Sequence, residues 1–253
     1  MTIKQYDYSR FTEYYDLLEL ESQTSLQIIS FLHNTFQKYK ISTVLDFTCG
    51  TGAQTIPLTK IGYRITACDI NSKMLEMAKR KAKDLQINFY QGDIRKSHLG
   101  SFDAVIAMFN AIGHLSKKDF NIALKNVSQN LKPRGLFIFD KFNLDFMAKG
   151  GFITHEFIDK VINFNGLKMV RFNKNTLNKE IGIIKISQKI FIQKDLGKLK
   201  ILNEKWDYQI YSLIELTNIL KKYGFKVLEV FGGPGTKFEK NKSLSIYIIS
   251  QKF

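Results

Sequence analysis

An alternation of short apolar runs with amphipathic helical segments, from Thr43 to Asp140, most narrows what this chain can fold into. Thr43-Val44-Leu45-Asp46-Phe47 reads as a buried strand ending in a glycine turn, with a helix from about Ala53 to Lys60 behind it. Tyr63 to Cys68 is the next strand, and Asn71 stands where it can cap a helix running to about Asp84. Ile87 to Gln91 and Phe102 to Phe109 are the third and fourth strands. Ser116 and Asp119 form a capping pattern for a helix that reaches about Lys132, where Pro133 stops it before the strand Leu136 to Asp140. Strands and helices that alternate through short links build a parallel sheet with helices on both faces. Ahead of the first strand, Leu26, Ile29, Phe31, Leu32 and Phe36 recur at helical spacing, which predicts an amphipathic helix from Gln23 to Tyr39.

The pattern changes after Gly150-Gly151. His155 to Asn173, Ile181 to Lys194 and Leu199 to Tyr211 are strand-like, with turn signals at Asn165-Gly166 and Asp195-Leu196-Gly197. These stretches predict an antiparallel insert over 151–211, set into a main domain formed by 1–150 and 212–253. Ser212 and Glu215 form a second capping box for a helix to Tyr223, with Gly224 behind it. Two closing strands, Phe225 to Phe231 and Ser243 to Lys252, flank the loop Gly232-Gly233-Pro234-Gly235 and bring the main sheet to seven strands.

Composition excludes several classes. A chain of 253 residues, 44% of them hydrophobic, can bury a full core. No apolar run approaches the roughly 18 residues that span a bilayer, and Met1 to Arg10 has no apolar core like that of a signal peptide. Cys49 and Cys68 make a disulfide framework implausible and fit a reducing cytoplasm. Two cysteines and four scattered histidines give no spaced ligand set, so no metal is expected. The formal charge of +15 is spread along the chain, in groups such as Lys79-Arg80-Lys81. A plain solvated basic surface accounts for it, with an anionic substrate or nucleic acid as the alternative.

The densest chemical signal is Val44-Leu45-Asp46-Phe47-Thr48-Cys49-Gly50-Thr51-Gly52. Glycines at a strand-to-helix turn let the backbone approach a ligand and offer N–H groups at a helix start. Asp46 at the strand end can accept from an ammonium group or an ordered water. A dinucleotide site would usually carry a third glycine where Thr55 stands, which argues against a nicotinamide enzyme. Asp69 ends the next strand, where an acid can accept both ribose hydroxyls of an adenosine, or else simply cap the helix at Asn71. Asp93, in Tyr90-Gln91-Gly92-Asp93-Ile94, is placed to accept from an adenine amino group, or is an ordinary turn aspartate.

In this order the motifs resemble the class I S-adenosylmethionine-dependent methyltransferases. Asp46 to Gly52 is similar to that family's first motif, Asp69 to its ribose acid and Asp93 to its adenine acid. Phe102-Asp103-Ala104-Val105 resembles its fourth strand and Leu131-Lys132-Pro133-Arg134-Gly135 the turn before its fifth. Thr48 departs from the pattern, since the family usually has glycine or another small residue there. The resemblance implies a Rossmann-like αβα sandwich that binds S-adenosyl-L-methionine. Its cofactor contacts would be Tyr15, Asp46, Thr48, Cys49, Gly50, Gly52, Asp69, Ile70, Met74, Asp93, Ile94, Met108 and Phe109.

Two further segments resemble bacterial small-molecule members, the nucleotide-sugar N-methyltransferases. They are the aromatic stretch Tyr8 to Asp16 and the loop Phe109-Asn110-Ala111-Ile112-Gly113-His114-Leu115. By that likeness Tyr8 and His114 lie near a small-molecule methyl acceptor, with the insert as its lid, in a monomer or homodimer. The reaction would be in-line displacement at the sulfonium methyl, with His114 taking or orienting the proton of an amine. The structural reading of His114 is a residue that packs the loop before the Ser116 helix, and of Tyr8 and Tyr15, core aromatics. The rivals are a nucleic-acid (RNA) methyltransferase, favoured only by net charge and lacking an Asn/Asp-Pro-Pro-aromatic motif, and a non-catalytic S-adenosylmethionine-binding protein.

Overall fold

The computed structural model describes residues 3–19, 22–151 and 154–253. Its main-sheet strands are β1 (Thr43–Asp46), β2 (Arg64–Asp69), β3 (Asn88–Gln91), β4 (Phe102–Ala107) and β5 (Leu131–Phe142). A separate group comes next, β6 (Glu156–Phe164), β7 (Leu167–Asn178), β8 (Ile183–Lys194) and β9 (Lys200–Gln209), and then β10 (Phe225–Gly233), β11 (Thr236–Lys237) and β12 (Ser245–Lys252). The helices are α1 (Thr12–Glu19), α2 (Ser22–Tyr39), α3 (Thr55–Lys60), α4 (Ser72–Lys81), α5 (Lys117–Gln129), the single turn α6 (Leu144–Phe146) and α7 (Leu213–Lys222).

The main sheet runs β3-β2-β1-β4-β5-β12-β10-β11. Strands β1 to β5 pair in parallel, and β12 joins β5 antiparallel. The period of two along each strand sorts its side chains into two apolar layers. Val105 and Ala107 of β4, Phe137 and Phe139 of β5 and Ile248 of β12 face α5 and α7. The intervening Ala104, Ile106, Leu136, Ile138 and Ile249 face α2 and α3. This two-faced burial explains why the strands read as nearly continuous apolar runs.

The expected caps hold. Asn71 accepts from Met74 N–H, Ser116 from Asp119 N–H, and Ser212 with Glu215 forms both halves of a capping box. Two expectations need correction. The sheet has eight strands and not seven, because the loop at Gly232–Gly235 tightens into a hairpin whose return is the two-residue β11. The helix before Pro133 ends at Gln129, and β5 already begins at Leu131. Proline is tolerated there because the β4–β5 register breaks between Phe102 and Ala104, so its missing N–H falls at an irregularity in the ladder.

Strands β6 to β9 form their own antiparallel sheet. Its β9 end comes to the carboxyl ends of β4 and β5. Lys141 Nζ donates to the Gln209 carbonyl at 3.0 Å, and the Tyr208 ring packs on His114 and Phe142. The expected start of this segment includes 152–153, outside the described residues, as are Met1 and Thr2. Among the described residues no helix is long and apolar enough to cross a membrane.

Candidate functional site

Strand β1 lies between β2 and β4, and the chain crosses to opposite sides of it, which opens a crevice at the carboxyl ends of these strands. The glycine turn fills its floor. Gly50 adopts φ +52°, and its N–H donates to Asp69 Oδ2 at 2.8 Å. Asn71 N–H donates to Asp69 Oδ1 at 2.9 Å, so two backbone amides fix this carboxylate while leaving lone pairs free. Burial raises the Asp69 pKa, and the hydrogen bonds from Asn71 and Gly50 work against that. At Gly52 φ is +86°, a conformation that favours glycine, and an added Cβ would also press on the Ile56 side chain at 2.9 Å.

Above this floor is a cavity of about 360 Å³. Of the residues singled out in the sequence, Tyr8, Tyr15, Thr48, Cys49, Gly50, Asp69, Ile70, Met74, Asp93, Ile94, Met108, Phe109 and His114 line it. Asp46 and Gly52 stand just behind this lining. Asp46 is 1% exposed and accepts from Thr55 Oγ1 at 2.7 Å and from Thr48 N–H at 3.4 Å, so it braces the turn from behind. Burial pushes its pKa up to about 7.

Asp93 has an ionic partner in the cavity wall. Its carboxylate is gripped by the Arg95 guanidinium through bonds of 2.6 to 3.0 Å and accepts Arg95 N–H at 2.8 Å. Burial opposes ionisation there, but these bonds hold the Asp93 pKa below its ordinary value. Arg95 also reaches Asp119 at 3.1 Å, and both line the cavity. The sequence pattern marks neither as a site residue. It does not mark Gln54 either, which is 3% exposed, lines the cavity, and has an Nε2 with no partner. The hydroxyl of Thr48 is likewise buried without a partner.

At the other end of the cavity Tyr8 Oη and His114 Nε2 lie 2.7 Å apart. Tyr8 leads a 3₁₀ turn, Tyr8–Arg10, and His114 ends another, Ala111–His114, that comes after β4. Gln5 Nε2 donates to the His114 carbonyl at 2.6 Å. His114 Nδ1 is buried with no partner. Burial, and secondarily the charge of Lys141, drives the His114 pKa down to about 3, so the imidazole is neutral at physiological pH. Burial moves the Tyr8 hydroxyl well above its ordinary value, so it stays protonated.

The cavity wall on this side belongs to the N-terminal segment, through Ile3, Gln5, Tyr6, Tyr8 and Tyr15. Among the described residues none of β6 to β9 lines the cavity; those strands stand one layer further out. Trp206 packs on Tyr6 at 4.3 Å, and Gln188 Oε1 accepts from Tyr6 Oη at 3.1 Å. The segment is also tied to the crevice floor, where Thr51 Oγ1 and Lys81 Nζ both donate to Asp16 and Asn71 Nδ2 donates to Ser9 Oγ.

Residues 44–135 match the family model described as a methyltransferase domain. The chain is 32% identical over 125 residues to glycine N-methyltransferase of Rattus norvegicus, covering 43% of each protein. It spans about half or less of the length of the first curated relatives it matches. Two solved structures superpose over nearly the whole chain. One is an S-adenosylmethionine-dependent methyltransferase from Clostridium acetobutylicum, with a TM-score of 0.80 at 20% identity over 97% of this chain and 98% of that one. The other is the amino pentose methyltransferase CalS10 of Micromonospora echinaspora, with a TM-score of 0.76 at 16% identity over 95% and 96%.

Proposed function

With residues 44–135 matching a methyltransferase-domain model, we propose that the chain is a class I S-adenosylmethionine-dependent methyltransferase that methylates an amine of a small molecule. The observation that carries this reading is a single cavity with the Gly50–Asp69 floor at one end and the buried Tyr8–His114 pair at the other. The residues present fit the cofactor. Asp69 keeps lone pairs for ribose hydroxyls, and the unpartnered Gln54 Nε2 and Thr48 Oγ1 supply polar contacts for its amino-acid end. Asp93, held ionised by Arg95, offers an acceptor to the adenine amino group.

S-adenosylmethionine brings a methyl group already activated on sulfur. The residues here need only align a nucleophile with it and keep water out. An amine attacks only when unprotonated. The apolar walls Ile3, Ile112 and Leu115 disfavour an ammonium ion and keep the amine neutral. His114, too weak a base to strip an ammonium, orients the amine by a hydrogen bond at Nδ1 while Tyr8 fixes its ring through Nε2. The acceptor site lies under the N-terminal segment, and 151–211 acts as the lid's outer support to the domain formed by 1–150 and 212–253. The rat relative is a glycine N-methyltransferase and the Micromonospora one an amino pentose methyltransferase, which favours nitrogen in a small acceptor.

The test is methyl transfer from S-adenosylmethionine to a panel of glycine and nucleotide-linked amino sugars, read by mass spectrometry. The expected result is one added methyl group on nitrogen with matching release of S-adenosylhomocysteine. Methylation of RNA, with none on any amine, would replace this reading by the nucleic-acid one.

A further inference from the structure

The backbone leaves β4 through two successive non-glycine residues in the left-handed region, Phe109 at φ +60° and Asn110 at φ +51°. Each is strained by itself, and two in a row persist only where their surroundings hold them. The support comes from the end of β5. Asn110 N–H donates to Asp140 Oδ2 at 2.9 Å. This buried bond ties the left-handed turn to the end of β5. Both Asn110 and Asp140 are only 4% exposed. The neighbouring Lys141 does not compete, since its Nζ is engaged by the Gln209 carbonyl and lies over the Tyr211 ring.

The Asn110–Asp140 bond anchors the 3₁₀ turn that ends at His114. Asn110 starts the turn Ala111–His114, its carbonyl accepts Gly113 N–H at 2.7 Å, and its side-chain oxygen accepts Phe142 N–H at 3.3 Å. A Cβ on Gly113 would lie 2.5 Å from the Asn110 amide nitrogen, so the Asn110 amide is packed directly on Gly113, the residue before His114. Asp140 itself is not among the residues lining the cavity, whereas Phe109 and His114 are.

We propose that Asp140 is a positioning residue for the transfer, holding the Phe109–Asn110 turn so that His114 stays buried against Tyr8. This rests on the function proposed above, and its test needs no methyl acceptor. The imidazole nitrogen resonances of His114 are followed by NMR from pH 8 to 5, and S-adenosylhomocysteine affinity is measured in parallel, in the full chain and in three variants. In the parent and in Asp140→Asn, which keeps an oxygen acceptor, His114 is expected to stay neutral throughout. In Asp140→Ala it titrates near the ordinary histidine value, about 6.5, while S-adenosylhomocysteine affinity falls less than tenfold. Adding Phe109→Gly to Asp140→Ala removes the left-handed strain at the bulkier residue, keeps the Asn110 side-chain contacts, and restores the neutral signature. Should Asp140→Ala alone fail to fold, a folded double variant with neutral His114 still supports the proposal, and a double variant that also fails to fold overturns it. A neutral His114 in Asp140→Ala, or a titrating His114 in Asp140→Asn, overturns it too. Absence of S-adenosylhomocysteine binding in the parent would instead defeat the functional reading and leave the NMR comparison to judge Asp140 alone.

Discussion

His114 behaves differently in this fold from a histidine at the surface. With burial holding its pKa near 3, it contributes no titration of its own between pH 5 and 8. If it orients the amine, His114→Ala should lower turnover by roughly 10²-fold and barely change cofactor affinity, since the adenosine end of the cavity is untouched. Equal turnover in the variant, or a lost affinity for S-adenosylhomocysteine, would reduce His114 to a packing residue. The same burial couples stability to pH. The unfolded chain protonates this ring below about pH 6.5 and the folded chain does not until about 3, so its contribution to stability is lost as pH falls through that window. His114→Phe should therefore lose less stability than the parent between pH 6.5 and 4, by up to about 3 kcal/mol in urea denaturation. Asp46 and Asp140, both raised to about 7, act in the opposite sense, and the comparison at one position removes them. Residues at strand ends are legible in the sequence because the turn chemistry of glycine and the position after a strand point to a ligand. Arg95, Gln54 and Asp140 are not. An arginine after a strand, a glutamine beside a glycine turn and an aspartate in an apolar strand acquire a role only when the tertiary structure sets them against Asp93, the cavity or the Asn110 amide.

Among the elements, the helices and strands of the main sheet can be read from caps, glycines and apolar runs, because each signal is local. The eighth strand cannot, since β11 is two residues long and exists only through pairing with β10. The antiparallel sheet is readable from its turns, but its distance from the cavity is not. Nothing in a strand pattern tells that an N-terminal segment will be layered beneath it. Ionic ties reinforce the apolar contacts of that layering. Arg171 of β7 is paired with Asp159 of β6 and with Glu19 of α1, and its side chain is 9% exposed; Arg10 is paired with Glu204 of β9. Breaking a buried pair leaves uncompensated charge, but both carboxylates on Arg171 retain some solvent. Arg171→Leu should cost about 1–3 kcal/mol of stability and speed S-adenosylhomocysteine release, measured by denaturation and stopped-flow. Unchanged release would mean that α1 is held by its apolar contacts with Met169 and Ile190 alone.

For the whole molecule, the parallel sheet sets where chemistry can occur. Its order places β1 between β2 and β4, so the backbone itself opens the crevice; the segments after these strands furnish its floor and the N-terminal segment one wall. The net charge of +15 does not enter that geometry; Asp69, Asp93 and Asp119 make the cavity acidic where an adenosine would lie. Asp69 is therefore where binding of S-adenosylmethionine to this cavity can be tested. The most direct measurement is titration calorimetry with S-adenosylhomocysteine on the parent protein and on Asp69→Ala. Micromolar binding is expected in the parent, weakened by about 1.5–3 kcal/mol in the variant, as for charge-assisted hydrogen bonds that are lost. No binding by the parent, or equal affinity in the two, would contradict it.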